Sequence, residues 1–595
     1  MSKKLKVWIF TFEYAGVVKV GGLGEVPANQ AKSLKDQLDI TVFVPSHGTK
    51  ERLKSNSSLT DMGLNFTGNF VPYEFDIHIP EATYAISLHQ TQINGNNVIL
   101  IAGNDEISKK TLEDPEVYSP TSLAAKYGLF TFALRHYTQY LIENDRDKLP
   151  DVVHIHDYHP FLPYIAMKQE LLKHNLDVPS VITFHLLTWP RKNKRFLKAC
   201  GIDDTPLPIW LSKKRQLMSI DEIFELARNN EHINPSLEKI SAFIADIIIS
   251  VSKSYLLSEV VPKLGNELIA SKSEFVWDGC DWDYNEIMEN IKNKFSIELK
   301  EFIGVSEYSN ISRWDMRKFL LTHKIEKIPR DEPIITSEVV LNVVNSLNGK
   351  YPIMEERKVK SFKEDGPLIL TSGRISQQKG FDIILESIPL VIEKIPEARF
   401  LMLIMPSEYS LDEITTYAEY MKKYPENLRI LFGKTMSIYN LAHICADVYC
   451  CPSRWEPFGI IALEAMSSKI PVVATRVGGF QESIVDLSQD LENGTGILVE
   501  KENPIELANA LISMLRASEI CQMSIFNQNF NQKKIKSMAQ DITLPTLKEK
   551  VLIENNFYVR IKNNCLKRVE QNFRWRIVSQ KLIDVYKKAI KMVKF

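Results

Sequence analysis

Short apolar runs of strand length alternate with helical patterns along most of this chain, and they do so in two successive series. In the first series the strand-like runs fall at residues 6–12, 40–44, 152–156, 181–185, 246–251 and 275–277. A Gly-rich turn and a helix from about Glu25 follow the first run, and a long amphipathic segment occupies 122–144. In the second series the runs fall at 368–371, 399–405, 429–432, 448–451, 471–474 and 496–499. Strands separated by helices build parallel sheets covered on both faces, with ligands at the carboxyl ends of the strands. A chain of 595 residues also exceeds what one core can serve. The reading is α/β, with two doubly wound, Rossmann-like domains in succession.

The expected boundaries are a first domain over residues 1–282, with an insertion near 190–240, and a charged helical linker over 283–365. A second domain over 366–574, with a polar insertion near 518–560, and a terminal helix over 575–595 follow. No fixed-period repeat or heptad seam is apparent.

A formal net charge of −1 supplies no field to gather nucleic acid or anionic lipid, so neither nucleic acid nor membrane is expected as a partner. The seven cysteines form no C-x-x-C pair and read as buried thiols in a reducing compartment. The amino terminus resembles a signal peptide only until its apolar run stops at Glu13, and it reads as a first strand. No uninterrupted apolar run approaches the roughly 18 residues of a membrane helix. The expected location is cytoplasmic.

The stretch P-S-R-W-E-P-F-G-I-I-A-L-E-A-M, residues 452–466, lies between two apolar runs of the second series. It reads as a turn opening a helix near Gly459, whose N–H groups face the crevice at the end of the preceding strand and suit an anion. Glu456 and Glu464 punctuate it. A carboxylate beside a phosphate site is costly unless it accepts hydrogen bonds, and sugar or ribose hydroxyls are suitable donors. A ligand with phosphate at its middle and hydroxyls at both ends is a nucleotide sugar. An ordinary α/β unit with two surface glutamates fits the same letters.

Three further stretches carry chemistry. Lys19-Val20-Gly21-Gly22-Leu23-Gly24-Glu25-Val26 follows the first strand, where glycines let backbone N–H groups approach an anion and Lys19 adds a point charge. It matches neither G-x-G-x-x-G nor the P-loop pattern. Gly373-Arg374-Ile375-Ser376-Gln377-Gln378-Lys379-Gly380 holds the equivalent place in the second domain. Arg374 and Lys379 could hold a pyrophosphate without metal, and a solvated basic loop is the alternative. His154, His156 and His159 raise metal binding, but no Cys and no H-E-x-x-H helix supports zinc, and a hydrogen-bonding strand-end histidine is favoured. Asp281-Trp282-Asp283 matches a D-x-D metal signature by chance.

Taken together, Lys19–Val26, His156–His159, Arg374–Lys379, Glu456–Glu464 and Asn493-Gly494-Thr495-Gly496 resemble the bacterial and archaeal glycogen and starch synthases, roughly over residues 5–285 and 366–580. The resemblance implies the GT-B arrangement of two Rossmann-like domains facing across a cleft, with a terminal helix after Trp575 returning to the first. It implies that Lys19 with Gly21 and Gly22 meets the donor phosphates and that His156 contacts the glucosyl unit. Arg374 and Lys379 would stabilise the departing diphosphate, Glu456 the glucose hydroxyls and Glu464 the ribose. Phe458, Gly459, Ile460 and Ile461 would complete the cradle, and Asp278 would stand at a glucose contact. Tyr439 and Met436 are candidates to face the base.

The implied reaction transfers glucose from ADP-glucose or UDP-glucose to the non-reducing 4-hydroxyl of an α-1,4-glucan such as glycogen, with retention and without a cofactor or metal. Homo-oligomer formation is left open. The chain departs from the family at Asp278-Gly279-Cys280-Asp281, where Asn is usual at the first position, at His185-Leu186 and at Met405-Pro406-Ser407. The alternatives are another retaining transferase that makes a disaccharide or glycolipid, and a non-catalytic carbohydrate-binding protein.

Overall fold

The computed structural model describes residues 4–56, 59–78, 81–229, 231–350, 352–526 and 532–593. The first three residues, part of the expected insertion at 527–531 and the last two residues of the expected terminal helix lie outside the described residues. Two compact units result, one of Met1–Gly279 with Trp575–Phe595, the other of Cys280–Arg574.

In the first unit the strands are β1 (Leu5–Phe10), β2 (Leu38–Pro45), β3 (Thr60–Phe70), β4 (Ala82–Ile93), β5 (Asn96–Gly103), β6 (Val152–His156), β7 (Ser180–Phe184), β8 (Leu207–Leu211), β9 (Lys214–Met218), β10 (Ile247–Ser250) and β11 (Ser273–Phe275). Nine of them form one sheet in the order β11-β10-β7-β6-β1-β2-β5-β4-β3, and β8 and β9 pair as a hairpin. Within the nine-stranded sheet pairing is parallel except at β4/β5 and β3/β4. The central strand β1 is apolar on both faces because both are covered. Val7 and Ile9 pack into a core shared with Leu582, Val585, Tyr586 and Ala589 of the helix Gln580–Val593. On the other face Trp8 lies 4.7 Å from Phe43 and 5.8 Å from Tyr137, ring to ring.

The second unit holds β12 (Leu368–Arg374), β13 (Arg399–Met405), β14 (Leu428–Phe432), β15 (Val448–Cys451), β16 (Val472–Thr475) and β17 (Gly496–Val499). They form one sheet, all parallel, in the order β14-β13-β12-β15-β16-β17. Counted from its own first strand this is the order 3-2-1-4-5-6 of doubly wound nucleotide-binding sheets. The chain reverses direction across the sheet between β12 and β15, and in the first unit between β1 and β6. Ligands of such sheets bind in the crevice beyond the strand ends at that point.

Four segments stand out against the sequence reading. The margin β3–β5 was not anticipated: β3 alternates apolar with polar residues and lacks a continuous apolar run, whereas β5 carries the buried apolar run 98–102 and was overlooked. The described residues of the segments read as insertions contribute helices, a hairpin and core residues to the fold. Around 190–240 stand the helices Lys194–Ala199 and Ile220–Arg228 with the β8/β9 hairpin, and in 518–560 Ile520, Ile535, Leu547 and Tyr558 enter the second core. Amphipathic helices of low mean hydropathy hide their apolar stripe among polar residues. The segment 283–365 clusters with the second unit, where Arg317 donates to Asp447 Oδ2 at 2.7 Å and Arg313 pairs with the same carboxylate. These two guanidiniums offset the cost of burying Asp447 and hold its carboxyl well below the usual aspartate range. No described helix is long and apolar enough to cross a membrane.

Candidate active site

In the second unit the ends of β12 and β15 bring the two predicted motifs together. Lys379 Nζ lies 2.5 Å from Glu456 Oε2, and the buried Ser453 hydroxyl adds a longer contact of 3.4 Å to the same oxygen. The pair is mostly enclosed, with side chains 21% and 9% exposed. The backbone permits this approach at two glycines. At Gly380, with φ +62°, a Cβ would stand 2.1 Å from the Pro452 carbonyl oxygen. At Gly478, with φ +43°, it would stand 1.6 Å from the Glu456 carbonyl oxygen. Any larger residue would push the three strand-end loops apart.

Arg374 ends β12, is exposed, and pairs with no carboxylate among the described residues. Phe458 and Gly459 are buried, Ile460 and Ile461 half-buried, and the helix Ile460–Ser467 begins at Gly459 as the sequence suggests. Glu464 sits half-buried on that helix, 3.5 Å from the Tyr439 hydroxyl, which also meets Ser372 Oγ at 3.2 Å. Ser372 in turn meets the Tyr449 hydroxyl at 2.7 Å. Burial and the neighbouring Glu464 carboxylate push the Tyr439 phenol up, so it stays protonated and able to donate. Trp282 and His443 line this corner at 5.9 Å and 4.5 Å from the Tyr439 ring, and burial lowers His443 to about 4. Met436 is 68% exposed.

Arg454 belongs to the quoted P-S-R-W-E-P stretch but carried no expected role, although it ties three loops together. Its guanidinium donates to both oxygens of Asp382 at 3.0 and 2.6 Å, to Gln377 O at 3.0 Å and to Glu502 Oε1 at 3.0 Å. Its own N–H donates to Gln378 O at 2.8 Å. The turn leading to Lys379 is therefore tied to both the side chain and the main chain of Arg454.

In the first unit the corresponding point lies beyond β1 and β6. Lys19 Nζ contacts Glu25 Oε1 at 2.5 Å, and both side chains are well exposed. Gly22 opens the helix Gly22–Leu34. The N–H of Gly21 is turned onto Glu13, whose Oε2 accepts it at 3.1 Å together with that of Val20 at 2.6 Å. Glu13 Oε1 accepts the Tyr118 hydroxyl at 2.6 Å. Neither Glu13 nor Tyr118 figured in the sequence reading, in which Glu13 only ended an apolar run.

His156 is fully buried, with Nδ1 3.0 Å from His185 Nε2 and its ring 4.3 Å from that of His154. His159 packs elsewhere, against Tyr158 and Tyr118. Burial lowers His154, His159 and His185 to about 3 and His156 well below its ordinary value, so the cluster is neutral at neutral pH. Asp157, also buried, accepts the His185 N–H at 2.7 Å, and burial raises its carboxyl to about 8. Asp278 is 5% exposed in the same unit. Among the described residues no group of three or more His, Cys, Asp or Glu is placed to hold a metal ion, and Asp281 and Asp283 join no such group.

Two family descriptions match the chain. Residues 6–270 match the starch synthase catalytic domain and residues 353–530 the glycosyl transferases group 1. The catalytic domain of Starch Synthase IV from Arabidopsis thaliana, bound to ADP and acarbose, superposes with a TM-score of 0.65 at 15% identity, over 99% of this chain and 100% of that one. The fold is accordingly that of the GT-B glycosyltransferases, and the chain is a glycosyltransferase. A glycogen synthase of Aliivibrio fischeri is 20% identical over 99% of both chains, and one of Flavobacterium johnsoniae is 24% identical over 90% of this chain and 96% of its own. The chain is thus similar to the starch synthase catalytic domain over residues 6–270 and to bacterial glycogen synthases over nearly its whole length.

Proposed function

We propose that the protein transfers glucose from a nucleoside-diphosphate glucose to the non-reducing 4-hydroxyl of an α-1,4-glucan, with retention of the anomeric configuration. The observation that carries this reading is the enclosed Lys379–Glu456 pair at the strand reversal of the second unit, beside the exposed Arg374. Lys379 and Arg374 present fixed positive charge to a departing diphosphate, and a donor preorganised for charge that develops in the transition state is the largest usual contribution to rate. Glu456 orients glucose hydroxyls. Its Oε2 is already held by Lys379, so it serves poorly as a nucleophile.

Attack then comes from the face the diphosphate leaves. The bond between C1 and the phosphate oxygen breaks, the acceptor O4 bonds to C1, and the acceptor proton passes to the departing phosphate oxygen. Glu464, with the Tyr439 hydroxyl beside it, suits a ribose, and the Trp282/Tyr439/His443 corner suits the base. In the first unit the Gly21 N–H is engaged by Glu13, so the loop's contribution to the donor falls to Lys19 and the helical turn from Gly22. The buried, neutral His156 suits hydrogen bonding to the glucosyl unit. No metal or cofactor is needed by this route.

Incubation with labelled ADP-glucose or UDP-glucose and glycogen, with and without chelator, tests the reading. Label should enter polymer in both conditions and be released as maltose by β-amylase, which requires α-1,4 ends. Label that β-amylase cannot release contradicts retention, and loss on chelation contradicts the metal-free route.

A further inference from the structure

We infer that Glu13 is a positioning residue for the glycine-rich loop and, through it, for Lys19. The inference rests on the reading that Lys19 meets the donor phosphates. Glu13 is 2% exposed, and a carboxylate so enclosed is stable only where its oxygens are taken up by donors. The N–H groups of Val20 and Gly21 and the Tyr118 hydroxyl do this at 2.6, 3.1 and 2.6 Å. Thr11 holds the backbone of Glu13 itself, its hydroxyl donating to the Glu13 carbonyl at 2.7 Å.

The consequence for Lys19 follows from its chain neighbours. Val18 on one side exchanges backbone hydrogen bonds with Tyr14 at 3.0 Å each way. Val20 on the other side is held by the Glu13 carboxylate. Lys19 is the residue between two fixed ends, and the second fixing is charge-assisted, roughly twice as strong as a neutral bond. Gly24 closes the far side of the loop, its carbonyl accepting the Ala15 N–H at 2.9 Å, and a Cβ there would come within 3.4 Å of Glu13 Oε2. Two amides of the turn, those of Val20 and Gly21, are thus spent on an internal carboxylate, and beside the helical turn from Gly22 the loop offers a ligand a lysine held in place.

Glutamine at this position can still turn its carbonyl to the two amides and its NH₂ to the Tyr118 oxygen, whereas alanine leaves all three donors without an acceptor. Glu13→Ala should therefore release the loop and Glu13→Gln should recover most of the loss. Brief trypsin treatment of the full-length protein, read as the amino-terminal peptide ending at Lys19, should show faster cleavage in Glu13→Ala and near wild-type cleavage in Glu13→Gln. In rate measurements Glu13→Ala should lower kcat/KM for the donor by about tenfold to a hundredfold, the scale of a 1 Å misplacement. Adding Lys19→Ala to it should cost less than about threefold more, since both changes remove one contribution. Should Glu13→Ala fail to accumulate, the Glu13→Gln/Tyr118→Phe pair, which strands the new amide nitrogen, carries the same expectation. Unchanged cleavage after Lys19, or losses that multiply in the double variant, would overturn the inference. A released loop combined with a harmless single Lys19→Ala would instead overturn the donor role of Lys19 on which it rests.

Discussion

The Nζ of Lys379 lies 2.5 Å from Oε2 of Glu456, an ammonium and a carboxylate drawn from two strand ends 77 positions apart in the chain. Each lowers the cost of burying the other, and the pair leaves Glu456 aligned by a cation rather than free to attack carbon. Lys379→Ala should reduce turnover by about a hundredfold or more. It should also lower the melting temperature, because Glu456 would be left buried and unpaired. The double variant Lys379→Met/Glu456→Gln separates the two effects: melting should recover while turnover stays low. Turnover that recovers with melting would show the pair to be structural only.

Arg454 makes a second test in the same unit. Arg454→Ala removes the side-chain ties to Gln377 O, Asp382 and Glu502 and leaves only the main-chain bond to Gln378 O, loosening the Gln377–Lys379 turn without touching the reacting groups, so it should lower kcat by up to about a hundredfold. Arg454→Lys, which cannot reach Asp382 in two-pronged fashion, should recover little of it. Steady-state rates at saturating donor check this, and a wild-type rate in Arg454→Ala would contradict the positioning role.

The histidines of the first unit set a pH dependence. His154, His159 and His185 fall to about 3 in the folded protein against about 6.5 when unfolded, so the unfolded chain binds more protons between those values. Stability from these groups is present above pH 6.5 and is lost as pH falls toward 3. Asp157 acts in the opposite direction. Raised to about 8, it stays protonated in the fold where the unfolded chain has released its proton, so its contribution weakens as pH rises from about 4 to 8. Asp157→Asn keeps a carbonyl for the His185 N–H and should raise the melting temperature more at pH 8 than at pH 5. Thermal melts of both proteins across pH 4–8 check both statements, and an equal effect at the two pH values would contradict the second.

Much of this architecture was legible before any coordinates. The parallel strands β1, β6, β7 and β12 to β17 are buried and mostly apolar, and they stand out as short runs of strand length. Strand β3 and the helices of 532–553 were not, since partly exposed elements mix apolar and polar residues, and β5 was overlooked despite its apolar run 98–102. The same contrast holds at the site. Lys379, Glu456 and Glu464 announce themselves by residue type at strand and helix ends, and the fold brings Lys379 to Glu456 and Tyr439 to Glu464. Glu13 acts through partners 7, 8 and 105 positions away and Arg454 through partners 48 to 77 positions away, pairings that no motif spacing reveals. The three-histidine stretch suggested more than it delivers, because the turn at Asp157, with φ +60°, sends His159 away from His154 and His156.

The central claim is that the fixed cations Arg374 and Lys379 at the β12 end draw a diphosphate from a nucleotide-bound glucose and that the glucose joins a glucan with its configuration kept. The most direct measurement follows label from ADP-glucose and UDP-glucose into glycogen, in the wild-type protein and in Lys379→Ala beside it. The account predicts that one donor at least labels the polymer, that β-amylase releases the label as maltose, and that Lys379→Ala labels it about a hundredfold more slowly. A folded wild-type protein that moves glucose from neither donor into glycogen, or one whose Lys379→Ala variant labels it equally fast, would contradict it.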